Sequence, residues 1–263
     1  MAVYDGVVEA FALRLASNNT REEEFLGKTR ITTAIAKSIA KSLAKNTTLK
    51  RFGLYNNNLS VDGICAIVTA LGDNSTIEEF HLWRNSTGHR GAMALADTLK
   101  RNTTLRVVTL SCNDILVKGS RAIAQALEKN TTLVEIGLGG NEIDFKSFAR
   151  SLKTNTSLRA INLSGNVFAG IGSSKVAKAF GTDEESEQPA YSNIGTDGAR
   201  ALLSALRVNT TVTNHLPVPR IPPHAESLVC KPWTLGSWAL NVASFAPNHS
   251  GLLLLPNATS HPA

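Results

Sequence analysis

Apolar residues return along this chain in a two-part rhythm. In residues 49–76, LKRFGLYNNNLSVDGICAIVTALGDNST, Phe52 and Leu54 alternate with Arg51, Gly53 and Tyr55, the period of two that a short strand requires. Ile64, Ile67, Val68 and Leu71 then recur at the i, i+3, i+4, i+7 spacing of one helix face. The blocks from Ile77 and Leu105 repeat this order, and all three share L-x-x-Φ-x-L-x-x-N, a Gly, and Φ-A-x-x-L, where Φ is apolar. Each unit therefore predicts one strand, one turn and one helix. Asn-rich tripeptides close the units: Asn18-Asn19-Thr20, Asn46-Thr47-Thr48, Asn74-Ser75-Thr76, Asn102-Thr103-Thr104 and Asn130-Thr131-Thr132 keep a 28-residue interval, followed by Asn155-Thr156-Ser157 and Asn209-Thr210-Thr211.

A fixed period in this range marks a stacked solenoid, because no single unit can bury its own apolar face. Parallel strands lie about 4.8 Å apart while packed helices need roughly 10 Å. The predicted fold is an α/β solenoid, a horseshoe with a concave parallel sheet and convex helices. Asn57, Asn85, Asn113, Asn141 and Asn166 occupy the same step after each strand and predict a buried ladder that bonds otherwise unpaired backbone groups. Gly63, Gly91 and Gly119 recur one step before the helix, and Asn46, Asn102 and Asn130 follow it, where a left-handed residue is expected.

These blocks resemble the leucine-rich repeats of the ribonuclease-inhibitor type, found in ribonuclease inhibitor, the Ran GTPase-activating protein and the arrays of NOD-like receptors. The resemblance runs through residues 21–166, weakens at both flanks and stops after about residue 212. It implies a horseshoe whose concave face contacts protein ligands, and it is nearly silent on which ones.

Regularity fails in four places. Residues 3–20 read as the helical half of a unit, with Val8, Phe11, Ala12 and Leu15 on its apolar face. The block 133–157 is three residues short between Asn141 and Leu152, which predicts a tightened turn into its helix. After LRAINLSGN, residues 158–166, no tripeptide closes the block on time; Glu187 and Pro189 fall where strand core residues belong, so 181–192 reads as an exposed loop and Ile194 to Thr211 as one more helix without a strand. Beyond Val212 eight of the nine prolines gather and only Arg220, Glu226 and Lys231 are charged, so the period cannot continue. The division is a repeat array over 1–211, irregular at 1–20 and 181–192, and a Pro-rich tail over 212–263. That tail reads as a poorly ordered extension, as a docking peptide centred on VPRIPP at 218–223, or as sequence outside the native reading frame.

Composition narrows the chemistry. A net charge of +6 and a pI near 9.3 could suit nucleic acid, but Lys37, Lys41 and Lys45 follow one solvated helix face toward its C-terminus, where cations favour the dipole. No nucleic-acid partner is expected. Cys65, Cys112 and Cys230 are too few for a disulfide framework, and no basic-then-apolar leader or long apolar run is present, so the expected setting is reduced and cytoplasmic, without a membrane partner. The Asn-Thr-Thr sites match the glycosylation pattern but read as turns.

Catalysis has little support. Cys112 and His81 both face the concavity, on adjacent strands and about 11 Å apart at the backbone, too far for a nucleophile and its base. His81 and His89 share a block but no face, and no Cys/His/Asp cluster has metal spacing. The Gly-rich stretch Gly165 to Lys175 lacks the G-K-[ST] ending of a phosphate loop. The expectation is no enzyme, no cofactor and no metal.

The inner face is what remains. Outward residues fall at the third, fifth and seventh positions of each block: Glu23, Arg51, Glu79, Val107, Glu135; Phe25, Gly53, His81, Thr109, Gly137; and Gly27, Tyr55, Trp83, Ser111, Gly139. Large side chains crowd the first three strands. Arg51, Tyr55, Glu79, His81, Trp83 and Arg84 are the candidate partner-binding residues, with Tyr55 beside Trp83 and Glu23, Arg51 and Glu79 forming a charge ladder. The functional expectation is a non-enzymatic protein-interaction scaffold; the alternative, implied by the resemblance, is a regulator of a small GTPase.

Overall fold

A computed structural model of the chain describes residues 2–163, together with 166, 201, 204–205 and 208–212. The Gly-rich stretch after Asn166, the loop expected at 181–192 and the tail beyond Val212 lie outside the described residues.

Strands and helices alternate along the chain: α1 Ala2–Ala16, β1 Glu23–Phe25, α2 Thr33–Leu43, β2 Arg51–Gly53, α3 Val61–Leu71, β3 Glu79–His81, α4 Gly88–Leu99, β4 Val107–Thr109, α5 Leu116–Leu127, β5 Glu135–Gly137, α6 Phe145–Thr154 and β6 Ala160–Asn162. The strands form one parallel sheet in sequential order. The register follows the sequence period, with Arg51 beside Glu79, Phe52 beside Phe80 and Gly53 beside His81. Strands start where the pattern places them but are three residues long, two shorter than expected. Bonding continues past them all the same, from Leu54 N to His81 O at 2.8 Å and from Asn56 N to Trp83 O at 3.0 Å.

One continuous apolar layer lies between sheet and helices. Leu54, Leu82, Leu110 and Leu138 are all fully buried, so the register is right, since a one-residue slip would turn each of them outward. Leu163, just past the last strand, is half-buried and packs against the same layer. Phe11 of α1 stacks on Phe52 at 5.6 Å between ring centroids, and Phe52 meets Phe80 at 6.0 Å. The opening helix thus covers the first unit with the residues its spacing singled out: Val8, Phe11 and Leu15 are buried, and Ala12 is half-buried against the same layer.

The Asn ladder after the strands is present. Asn57 N donates to Asn85 Oδ1 (3.0 Å), Asn85 N to Asn113 Oδ1 (3.0 Å), Asn113 N to Asn141 Oδ1 (2.9 Å) and Asn141 N to Asn166 Oδ1 (2.8 Å). Each amide nitrogen in turn donates to the preceding unit, as Asn85 Nδ2 does to Leu54 O at 2.7 Å. The side chains therefore tie neighbouring repeats as well as closing their own turn.

Two sequence expectations are corrected. Asn46, Asn102 and Asn130 are absent from the left-handed residues, which include Asn18, Asn56 and Asn58. They form a second buried ladder instead: Asn102 Nδ2 donates to Leu71 O and Asn74 O, while its Oδ1 accepts from Thr104 N and Leu105 N. The amide caps the preceding helix and starts the next strand, so the tripeptide is a structural joint. Gly63, Gly91 and Gly119 lie inside the first turns of α3, α4 and α5 without a left-handed φ. Their requirement is space, because a Cβ on Gly119 would come 2.8 Å from Ala92 Cβ and 3.0 Å from His89 Cα of the neighbouring helix.

The shortened block loses its residues from the helix, not from the turn before it. Three residues lie between Asn57 and the start of α3, and three between Asn141 and the start of α6, but Leu71 is the eleventh residue of its helix and Leu152 only the eighth. Three residues are close to one helical turn, so the apolar face keeps its direction. Asp144 caps α6, accepting from Ser147 N at 3.3 Å and from Arg121 Nε at 2.8 Å. Burial alone would push its carboxyl up; these bonds hold it below the ordinary aspartate value.

Candidate partner-binding face

The inner sheet surface is divided as the sequence rows indicate, but its aromatic residues are packed more tightly than an exposed patch. Tyr55 and Trp83 stack with centroids 4.8 Å apart and planes 4° from parallel. They are 4% and 8% exposed, forming a small cluster with Phe25 that is separate from the core. The two rings that the rows set side by side therefore cover one another instead of standing open to solvent.

Glycines make this possible. A Cβ on Gly27 would overlap the Tyr55 ring, and one on Gly53 would overlap the Phe25 ring. Bare positions in the fifth and seventh rows therefore serve as floors on which the adjacent strand's ring rests. Phe25 leans over Gly53 toward His81, with ring centroids 6.0 Å apart. Phe25 belongs with the candidate residues although its sequence position alone did not select it; the signal was a Gly beside it in the same row.

Polar groups frame this wall. Arg51 forms an ion pair with Glu23 on β1. Glu79 meets His81 Nε2 at 3.6 Å, and His81 Nδ1 lies 3.1 Å from Thr109 Oγ1. The expected Glu23–Arg51–Glu79 ladder thus has its first rung from Arg51, while Glu79 engages the His on its own strand. Glu135 has its carboxyl raised by burial and then by the charge of Glu79, with His81 partly offsetting both. Tyr55 has its phenol raised by burial.

Arg84 lies one residue past Trp83, outside the three rows. Its φ of 58° turns it out of the strand direction, and it lines an edge cleft of about 500 Å³ with Lys28, Arg30, Asn56, Asn58 and Ser86. Cys112 borders the same cleft. Of the sequence-derived set, Arg51, Tyr55, Glu79, His81 and Trp83 share the concave surface, and Arg84 lies on its rim. Among the described residues, no group of three or more His, Cys, Asp or Glu could hold a metal ion. No helix among them is long and apolar enough to cross a membrane.

The architecture defines the class: an α/β leucine-rich-repeat solenoid. A leucine-rich-repeat family model matches residues 101–124 and 154–177. This supports leucine-rich repeats without singling out the ribonuclease-inhibitor type. Among solved structures, the chain is similar to leiomodin-1 actin-binding site 2, at 24% identity over 58% of this chain and 91% of that one, with a TM-score of 0.48. It is also similar to the tropomodulin C-terminal domain of Caenorhabditis elegans, at 13% identity over 56% and 92%, with a TM-score of 0.49. No curated protein matches the chain.

Proposed function

We propose that this chain is a non-enzymatic interaction scaffold that holds a protein partner on the amino-terminal half of its concave sheet. The observation that carries this reading is the asymmetry of the face. β1 to β3 and the residues just after them present Phe25, Arg51, Tyr55, Glu79, His81 and Trp83, whereas the later strands present one charged side chain, Glu135, among Val107, Thr109, Ser111, Gly137 and Gly139. The stacked rings are already ordered, so a partner that lies along their edges loses little additional side-chain entropy on binding. Arg51, Glu79 and His81 supply a polar frame around an aromatic centre, the arrangement in which a few residues dominate interface energy. A repeat array provides this surface on a rigid support whose strands cannot shift singly.

Proximity labelling in cells, with the Trp83→Ala chain as the control, identifies the partner. Its affinity is then measured against the purified full chain. Trp83→Ala is expected to weaken binding about thirtyfold, which is about 2 kcal/mol, while Ser111→Ala changes it by less than about 0.5 kcal/mol. Far-UV circular dichroism of both variants must match the parent. A partner indifferent to Trp83 and Tyr55 but released by Lys41→Glu on α2 would place the working surface on the convex side and overturn the proposal.

A further inference from the structure

We infer that residues 158–211 are one repeat, split by a 26-residue insertion at 167–192, and that the final helix is consequently a loosely tethered cap. The sequence offers two continuations from Asn166. Read directly, the helical core steps fall on Ser173, Val176, Ala177 and Phe180, and the closing Asn step falls on Asp183. Read with 167–192 set aside, Asn193 follows Asn166, and the same steps fall on Ala199, Leu202, Leu203 and Leu206, with Gly198 at the close-approach step and Asn209-Thr210-Thr211 closing the unit. The second reading restores a 28-residue block, since 54 residues less 26 leave 28.

Described residues on both sides of the gap favour the second reading. Asn209 Nδ2 donates to Leu152 O at 2.6 Å and to Asn155 O at 2.9 Å. Its Oδ1 accepts from Thr211 N and Val212 N, both at 2.9 Å. Asn74 makes the same set one repeat from Asn46: Leu43 O at 2.8 Å, Asn46 O at 3.0 Å, Thr76 N at 3.0 Å and Ile77 N at 2.8 Å. Asn209 is therefore one repeat beyond Asn155, although 54 residues separate them. Ala205 is fully buried, like Ala126 at the equivalent step. Ala201 and Ser204 line a cleft with Lys146, Ala149, Arg150 and Lys153 of α6, so the segment around Ala205 occupies the place beside that helix.

The insertion has an energetic consequence. In a regular unit nine residues join Asn57 to Ala66, whereas 35 join Asn166 to Ala201. Loop-closure entropy scales as three-halves of the logarithm of length, so the longer connection favours undocking of the terminal helix about eightfold.

Three variants of the full chain test this by thermal unfolding and hydrogen exchange. Deleting 167–192 is expected to preserve cooperative unfolding and to slow exchange at 201–209 by about eightfold. Phe180→Asp should leave the melting temperature within about 1 °C, while Ala205→Asp should lower it by about 4 °C or more. Loss of protection at 201–209 on deletion, or a Phe180→Asp defect as large as that of Ala205→Asp, would overturn the inference in favour of direct continuation through 167–180.

Discussion

Asn113→Ala tests whether the ladder of side-chain amides, as well as the apolar layer, holds neighbouring repeats in register. Asn113 is fully buried. Its Oδ1 accepts from Asn85 N at 3.0 Å, Thr87 N at 3.2 Å and Thr87 Oγ1 at 2.6 Å, and its Nδ2 donates to Leu82 O at 2.9 Å and Ser111 O at 3.3 Å. Truncation leaves two backbone N–H groups without this acceptor, in a place the surrounding turns keep dry. Thr87 can rotate its hydroxyl, and the longer Nδ2 bond is weak, so those two losses count little. A buried orphaned donor costs about 1 to 3 kcal/mol, which puts the substitution at about 2 to 4 kcal/mol after partial relaxation. Urea denaturation followed by far-UV circular dichroism measures it, with Ser111→Ala as the neighbouring control, expected below about 0.5 kcal/mol. An unchanged slope with denaturant would mean that the array still unfolds as one unit; a fallen slope would mean that it divides at this repeat. Equal midpoints for Asn113→Ala and Ser111→Ala would refute the reasoning.

The strand starts, the apolar layer and the post-strand Asn ladder were legible in the sequence because each depends on a residue type at a fixed step. Leu54 and Asn57 can be placed from the period alone. Residues whose role depends on what lies across a repeat interface were harder. Gly119 reads as a turn signal until Ala92 is seen 2.8 Å from its missing Cβ. Asn102 reads as a helix terminator until its amide is found spanning two carbonyls of the preceding unit. At the candidate site the rows correctly set Tyr55 beside Trp83, but a row gives direction and not coverage. Whether a ring is open or stacked is decided by its neighbour's size, and Gly27 and Gly53 settle it here by leaving room for rings from adjacent strands. Arg84 follows the row by one residue, and its left-handed φ, which the period does not report, sets the side chain on the rim.

Gly119→Ala should destabilise the array by about 1 to 2 kcal/mol, since the close approach of α4 outweighs the helix propensity gained; Gly6→Ala in α1, where a Cβ would meet nothing within 4 Å, should stabilise by up to about 1 kcal/mol. Paired thermal melts that gave both substitutions the same sign would remove the packing explanation. The last prediction concerns pH. The raised carboxyl of Glu135 binds more protons in the folded chain than in the unfolded one, between its ordinary value of 4.5 and its higher folded value. Stability from this group therefore falls as pH rises through that window and stays reduced above it. Asp144 acts oppositely and lower on the scale: its stabilisation is present above 3.8 and is lost as pH falls toward its folded value. Glu135→Gln keeps the shape and removes the charge, so its advantage over the parent should be small well below pH 4.5, where the carboxyl takes up its proton in both states, and should grow toward pH 7. The gain should be a few tenths of a kcal/mol, because the group is half exposed and solvent screens Glu79. Added salt should shrink the difference, as screening weakens the repulsion from Glu79. A variant whose melting temperature tracks the parent's at every pH would show that Glu135 costs the folded state nothing, and that burial beside Glu79 puts no electrostatic strain on the concave face.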